Sequence, residues 1–204
     1  MHEPFSTALR KPPLRSTHYF TSAKTPVPVS YSSKAARIAL IQLTLSPEVF
    51  VIQAERPDEH SADVQSRVSL VAECGPVVVE FPDKGEVTNG GATGSPPRDT
   101  LGVPRLILTA QGIDRQPYAD NCRLAWLCHD YRADPRDRDH ILRILSQERH
   151  LTLTQAAKDC RYSGDPISAV LSLVCADFAE ADLQTSPLGP TTLVRARRRK
   201  GAFA

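Results

Sequence analysis

The chain has 204 residues, 41% of them hydrophobic and 24% charged, a balance that excludes a fibrous or wholly disordered protein. A formal net charge of +2 gives no overall pull towards nucleic acid, and aromatics at 6% leave the core to Val, Leu, Ile and Ala. No apolar run approaches the roughly 18 residues that a membrane span needs.

Residues 1–30 are rich in Pro, Ser, Thr and basic residues, and read as an extended arm with little structure of its own. The arm carries Arg10, Lys11, Arg15 and Lys24 with no acid after Glu3, so it is either a loose terminus or a segment that hugs DNA. It lacks the apolar stretch of a secretory signal, which makes the cytoplasm the expected compartment. A helix follows over about 33–44. Ser32 or Ser33 can accept the orphan amides at its start, Ala35, Ala36, Ala39, Leu40 and Leu43 share one face, and Pro47 stops it.

Residues 49–54 are a short β-rich run. After a polar loop, 68–72 and 77–81 form two strands around the turn Glu73-Cys74-Gly75-Pro76, where Gly75 supplies a positive φ. Val77-Val78-Val79 shows almost no alternation, which suits a strand covered on both faces. Residues 82–104 include Asn-Gly-Gly and read as a flexible loop. The glycines make no phosphate loop, because no Gly-Lys-Ser/Thr follows. Leu106, Ile107 and Leu108 give one more central strand. Residues 111–118 turn, and 119–131 is a helix with Leu124, Leu127 and Tyr131 inward, its stripe widened by Trp126 and Cys128.

The charged stretch 133–139 is the best domain boundary. Beyond it come a helix at 137–148 with Ile141, Leu142, Ile144 and Leu145 inward, and a short helix capped by Thr152 or Thr154. A third helix at 166–176 is started by Asp165 and Pro166, with Ile167, Val170, Leu171 and Val174 inward. Leu183 and then 191–194 supply two strands of a wing, so three short helices plus a hairpin give a winged-helix-like outline. The third helix turns Asp165, Ser168, Ser172 and Asp177 outward and carries no basic residue, which argues against major-groove reading and for protein contact. Arg195, Arg197, Arg198, Arg199 and Lys200 then place five cations in six residues. Such a tail is either simply solvated or attracts phosphates without reading sequence.

The five cysteines, Cys74, Cys122, Cys128, Cys160 and Cys175, have no metal or redox spacing and read as reduced, mostly buried small residues. His129 and His140 read as surface residues, and no Gly-x-Ser-x-Gly elbow is present. A metal-dependent phosphodiesterase needs hard oxygen ligands and a positive group near the attacking water. The restriction-nuclease arrangement supplies them from a central sheet: an Asp before one strand, an acid-x-Lys triplet on the next, and often a Glu from the preceding helix. Asp63 precedes one strand here and Glu80 ends the next, seventeen residues later. On spacing alone the pair could equally be a loop Asp and a strand-end Glu.

The order and local wording of the chain resemble TnsA-like endonuclease subunits of heteromeric transposases. The matches are Arg15-Ser16, Phe20-Thr21-Ser22 and Val29-Ser30-Tyr31-Ser32-Ser33 ahead of the first helix, and Leu45-Ser46-Pro47-Glu48-Val49 at its exit. Ala62-Asp63-Val64 and Val77-Val78-Val79-Glu80 stand at the two strands. Residues 109–121, with Ile113-Asp114-Arg115 and Asn121, and residues 188–195 complete a likeness spread over about 10–195. It implies a restriction-endonuclease-like mixed α/β sheet flanked by helices over 31–133. A small winged-helix-like domain would follow at 137–195, between the arm at 1–30 and a basic tail at 196–204.

The same likeness implies Asp63 and Glu80 as ligands of Mg²⁺ or Mn²⁺, if any activity remains. DNA would be bound by Arg10, Lys11, Arg15, Lys24, Arg197, Arg198, Arg199 and Lys200, and the partners would be transposase and ATPase subunits of a transposition complex. The departures carry as much weight. The helix acid is replaced at Ser32, Ala35 and Ala36, and the catalytic lysine falls at Pro82, with Lys84 as the nearest substitute. Losing groups that act as a unit costs orders of magnitude in rate. The expectation is therefore an impaired or inactive subunit; the alternatives are a working nuclease using Asp63, Glu80 and Lys84, or a non-enzymatic DNA-associated adaptor or regulator.

Overall fold

The computed structural model describes residues 18–54, 67–81 and 102–197. Strands β1 (His18–Phe20) and β2 (Val29–Tyr31) pair antiparallel, and their Phe20 and Val29 enter the core. Phe20 stacks on Trp126 with ring centroids 5.3 Å apart. The second half of the expected arm is therefore folded, because two apolar side chains anchor it; residues 1–17 lie outside the described residues.

Helix α1 (Lys34–Leu45) begins where Ser33, rather than Ser32, accepts from the amide of Ala36 at 3.0 Å. It is buried on nearly every side, with Ile38, Ile41 and Leu45 joining Ala36, Ala39 and Leu40. A helix with such a wide apolar surface belongs at the centre of a fold, and α1 packs against strand β3 (Val49–Ala54), helix α3 (Tyr118–Trp126) and helix α6 (Pro166–Cys175).

The main sheet contains β3 (Val49–Ala54), β4 (Arg67–Ala72), β5 (Gly75–Glu80) and β6 (Arg105–Ile107), in that spatial order. The first three run antiparallel and β6 is parallel to β5, so the sheet is mixed. The hairpin forms, but its turn is tighter than expected: Glu73-Cys74 alone, with Gly75 and Pro76 already paired with Ala72 and Val71, and Gly75 at φ +109°, a value that a side chain would make costly. Val78 and Val79, neighbours pointing to opposite faces, are both buried, as expected of a strand covered on both sides. Ile52, Val68, Leu70 and Val79 belong to the hydrophobic core shared with α1. By register, Arg67, Glu80 and Arg105 project from the other face of the sheet.

Helix α2 (Ala110–Ile113) replaces part of the expected turn, because Thr109 caps it by accepting from the amide of Gly112 at 3.1 Å. Helix α3 (Tyr118–Trp126) corrects the expected stripe. Its buried residues are Ala119, Asn121, Cys122, Ala125 and Trp126, while Leu124 faces outward and Leu127, just past its end, is 78% exposed. The helix lies between α1 and α6, and small side chains permit that close approach.

The stretch expected as a linker is largely the first turn of α4 (Pro135–Gln147): Asp134 caps it, Pro135 opens it and Asp137 turns inward. Strand β7 (Leu151–Thr152) leads into α5 (Leu153–Ala157), whose cap is Thr152 in a reciprocal pairing with Gln155. Helix α6 (Pro166–Cys175) starts at Asp165, as expected, but Ser172 is buried rather than outward. Strands β8 (Ala179–Ala181) and β9 (Leu193–Ala196) complete an antiparallel three-stranded sheet of order β7-β9-β8. The first of these strands begins earlier than expected, and Leu183 instead anchors the following turn in the core. No described helix is long and apolar enough to cross a membrane.

The end of α6 explains that shift. Phe178 donates to the carbonyl of Leu173 (2.9 Å) and Asp177 to that of Val174 (3.2 Å), the paired bonds of a left-handed helix stop. Asp177 takes φ +61°, a position usually given to Gly or Asn. Its carboxylate is held there by two buried cations, Lys24 and Arg197.

Candidate functional site

Glu80 closes β5 directly opposite Arg67, the first residue of β4, and Arg105 pairs in register with Val78, two residues earlier on the same face. One oxygen of the Glu80 carboxylate bonds Arg67 and the other bonds Arg105. The Glu80 side chain is only 13% exposed, whereas Arg67 and Arg105 are 51% and 32% exposed. Arg105 Nε is enclosed and has no hydrogen-bond partner among the described residues.

Asp63 and Lys84 lie outside the described residues, as do Arg10, Lys11, Arg15, Arg198, Arg199 and Lys200. Of the sequence-chosen metal ligands only Glu80 is described, and its oxygens already accept from two guanidinium groups. That donor set does not fit a hard divalent cation, which needs carboxylate oxygens free to coordinate it. Among the described residues no three His, Cys, Asp or Glu side chains converge on a metal position.

Reading the sequence for carboxylates missed both arginines. The four-residue turn expected at Glu73-Cys74-Gly75-Pro76 would set Glu80 opposite Ser69; the two-residue turn at Glu73-Cys74 sets it opposite Arg67. Arg105 was out of reach, because a parallel crossover of unknown length sets its register.

Two residues expected to hold DNA are placed otherwise. Lys24 is 2% exposed, bonding the carbonyl of Ser46 at 2.6 Å and Asp177 at 3.2 Å. The side chain of Arg197 is 5% exposed. It bonds Asp177 (3.2 Å), Glu180 (3.1 Å) and the carbonyls of Pro47 (2.5 Å) and Val49 (3.2 Å). Arg195 pairs with the other oxygen of Glu180 at 2.6 Å. These cations fasten β1–β2, the α1–β3 bend and β9 to one another, and are corrected from phosphate contacts to internal ties.

Burial is the main influence on Lys24 and lowers its pKa from 10.5 to about 8, against the opposing pull of Asp177. Between those values the unfolded chain keeps a proton that the folded chain releases, so this group's contribution to stability rises with pH. The wild type should gain about 3 kcal/mol relative to Lys24→Met between pH 7.5 and 10.5. Urea titrations of both proteins across that range measure it, and a constant difference would show an ordinary lysine.

Three of the five cysteines, Cys122, Cys160 and Cys175, are buried, and all five are free thiols. Burial pushes Cys122 and Cys175 up to about 12, which leaves them unreactive as nucleophiles. A cleft of about 320 Å³ lies beside β8 and β9, lined by Tyr118, His150, Glu180, Asp182 and Arg195 among others. None of the described residues chosen for metal or DNA lines it.

Asn121 is buried and saturated: its amide donates to the carbonyls of Leu183 (2.9 Å) and Ser186 (2.7 Å), and its oxygen accepts from Leu188 (2.7 Å). Two of the segments that carry the family likeness thus meet here, and Asn121 shapes the turn before β9. No protein-family model matches the chain, and no curated protein matches it.

Proposed function

We propose that the chain is a TnsA-like subunit of a DNA transposition system, associated with DNA and inactive or strongly impaired as a nuclease. The observation that carries the loss of activity is the Glu80 carboxylate, whose two oxygens are held by Arg67 and Arg105; in sequence, Pro82 stands at the lysine position.

The topology supports the restriction-endonuclease-like reading. A central helix is followed by three antiparallel strands and a fourth parallel to the third, with Asp63 ahead of β4 in sequence and Glu80 at the end of β5. The order helix, strand, helix, helix, strand, strand, with its sheet order β7-β9-β8, supports a winged-helix reading of 137–195. In that reading α6 takes the place of a recognition helix, yet it is buried against α1, α3 and α5. Its surroundings favour docking of transposase or ATPase partners by other surfaces and leave DNA to backbone contacts.

Incubating the purified chain with supercoiled plasmid and transposon-end DNA in Mg²⁺ or Mn²⁺ tests the proposal. The expected result is no nicking above background. Robust cutting abolished by Asp63→Ala would overturn the loss of activity, and its further loss in Lys84→Ala would favour a working nuclease. The Glu80 ion pairs also favour a purely non-enzymatic adaptor, which predicts no rise in melting temperature with Mn²⁺.

A further inference from the structure

We infer that Arg67 and Arg105 form a metal-independent clamp for a DNA backbone phosphate at the end of the main sheet, with Glu80 as its built-in counter-ion. The inference rests on the DNA-associated reading above and assigns it a site.

The register makes the cluster a designed neighbourhood rather than a chance meeting of long side chains. Arg67 is the cross-strand partner of Glu80, and Arg105 starts the parallel strand on the other side of β5. One carboxylate therefore sits between two guanidinium groups on three adjacent strands, all on the same face. The described cluster carries one anion and two cations, a net positive charge.

Each guanidinium offers five N–H donors in a planar fork, more than one carboxylate can accept from two of them. Arg67 remains half exposed and Arg105 about one third exposed, so both guanidinium groups can be reached from outside. A phosphodiester oxygen pair matches that fork geometrically and needs no cation to neutralise it. In this site guanidinium charge replaces the divalent cation of a cutting enzyme. Glu80 then orients the arginines and limits their affinity, instead of coordinating a metal.

Fluorescence anisotropy of the full chain with labelled duplex DNA, in EDTA and in Mg²⁺, tests the clamp. Wild-type affinity should be the same in both. Arg67→Gln and Arg105→Gln should each weaken binding about tenfold and reduce the salt slope by about one. Glu80→Gln, which removes the competing anion, should tighten it. Arg105→Lys keeps the charge but not the fork and should recover only part of the affinity that Arg105→Gln loses. Thermal melting reports whether each variant folds; because Arg67 is half exposed, Arg67→Gln carries the test if Arg105→Gln does not fold.

Arginine variants that bind as wild type would overturn the clamp while leaving DNA association to the arm and tail. Weaker binding by Glu80→Gln, or affinity that requires Mg²⁺, would overturn it as well. Metal-dependent cutting by the wild type would instead overturn the proposed loss of nuclease function, and failure of the wild type to bind DNA would overturn both the clamp and the DNA-associated reading.

Discussion

Arg197→Met is expected to lower the folding stability by about 3 kcal/mol, towards the lower end of what breaking a buried ion pair costs. The side chain is nearly enclosed, and its donors reach two carboxylates and two backbone carbonyls. A methionine fills most of the volume but leaves the carbonyls of Pro47 and Val49 without that donor. Glu180 keeps Arg195 and Asp177 keeps Lys24, which is why the effect should fall short of a fully orphaned charge. Because typical domains hold only about 5–15 kcal/mol in reserve, the loss should move a urea midpoint clearly. Arg197→Lys retains a charge but not the fork, and should fall between the two. Added salt should change the wild-type midpoint little, since enclosed pairs are poorly screened. A variant that unfolds with the wild-type midpoint would show that the cluster holds nothing together.

What the sequence made legible follows from the range of the forces involved. Caps are local, so neighbouring residues narrowed them to Ser32 or Ser33, to Thr152 or Thr154, and to the Asp165-Pro166 pair, and the structure uses Ser33, Thr152 and Asp165. The β4–β5 hairpin was equally local, since Gly75 marks the turn, but its register was not, because Gly75 and Pro76 join the strand instead of the turn.

The stripe on α3 was not local. Size favours Leu124 and Leu127 for the core, but the face of α3 that is buried carries Ala119, Asn121, Cys122, Ala125 and Trp126. Lys24 and Arg197 show the same limit in electrostatics. Each sits in a basic stretch of sequence that suggests a free cation, and only the assembled fold shows that both meet Asp177. At the candidate site Glu80 was placed correctly at its strand end. Its meaning changed because cross-strand partners, rather than chain neighbours, decide whether a carboxylate is free to hold a metal.

Asp137 is the other residue whose loss should be severe, and its pH dependence gives the effect a distinct signature. It sits in the first turn of α4, where the helix dipole favours an anion, and points inward. Its two oxygens accept from the amides of Arg161 (3.0 Å), Tyr162 (3.0 Å) and Ser163 (2.6 Å). Burial by itself would raise the carboxyl's pKa, but these bonds together with the Ser163 side chain hold it below the usual value.

Asp137→Ala leaves three amides of one turn without acceptors, and that turn leads directly to the Asp165 cap of α6. Loosening it would disturb the contacts of α6 with α1 and α3 that join the two halves of the core. Asp137→Asn keeps one acceptor oxygen and should be less harmful at neutral pH. With the folded pKa depressed, the carboxylate's contribution is present above the unfolded value near 3.8 and fades as pH falls through the folded one. Melting curves of wild type and Asp137→Asn should therefore lie furthest apart near neutral pH and converge in strong acid. A gap that stayed constant with pH would mean that shape, and not the carboxylate charge, holds the 161–163 turn.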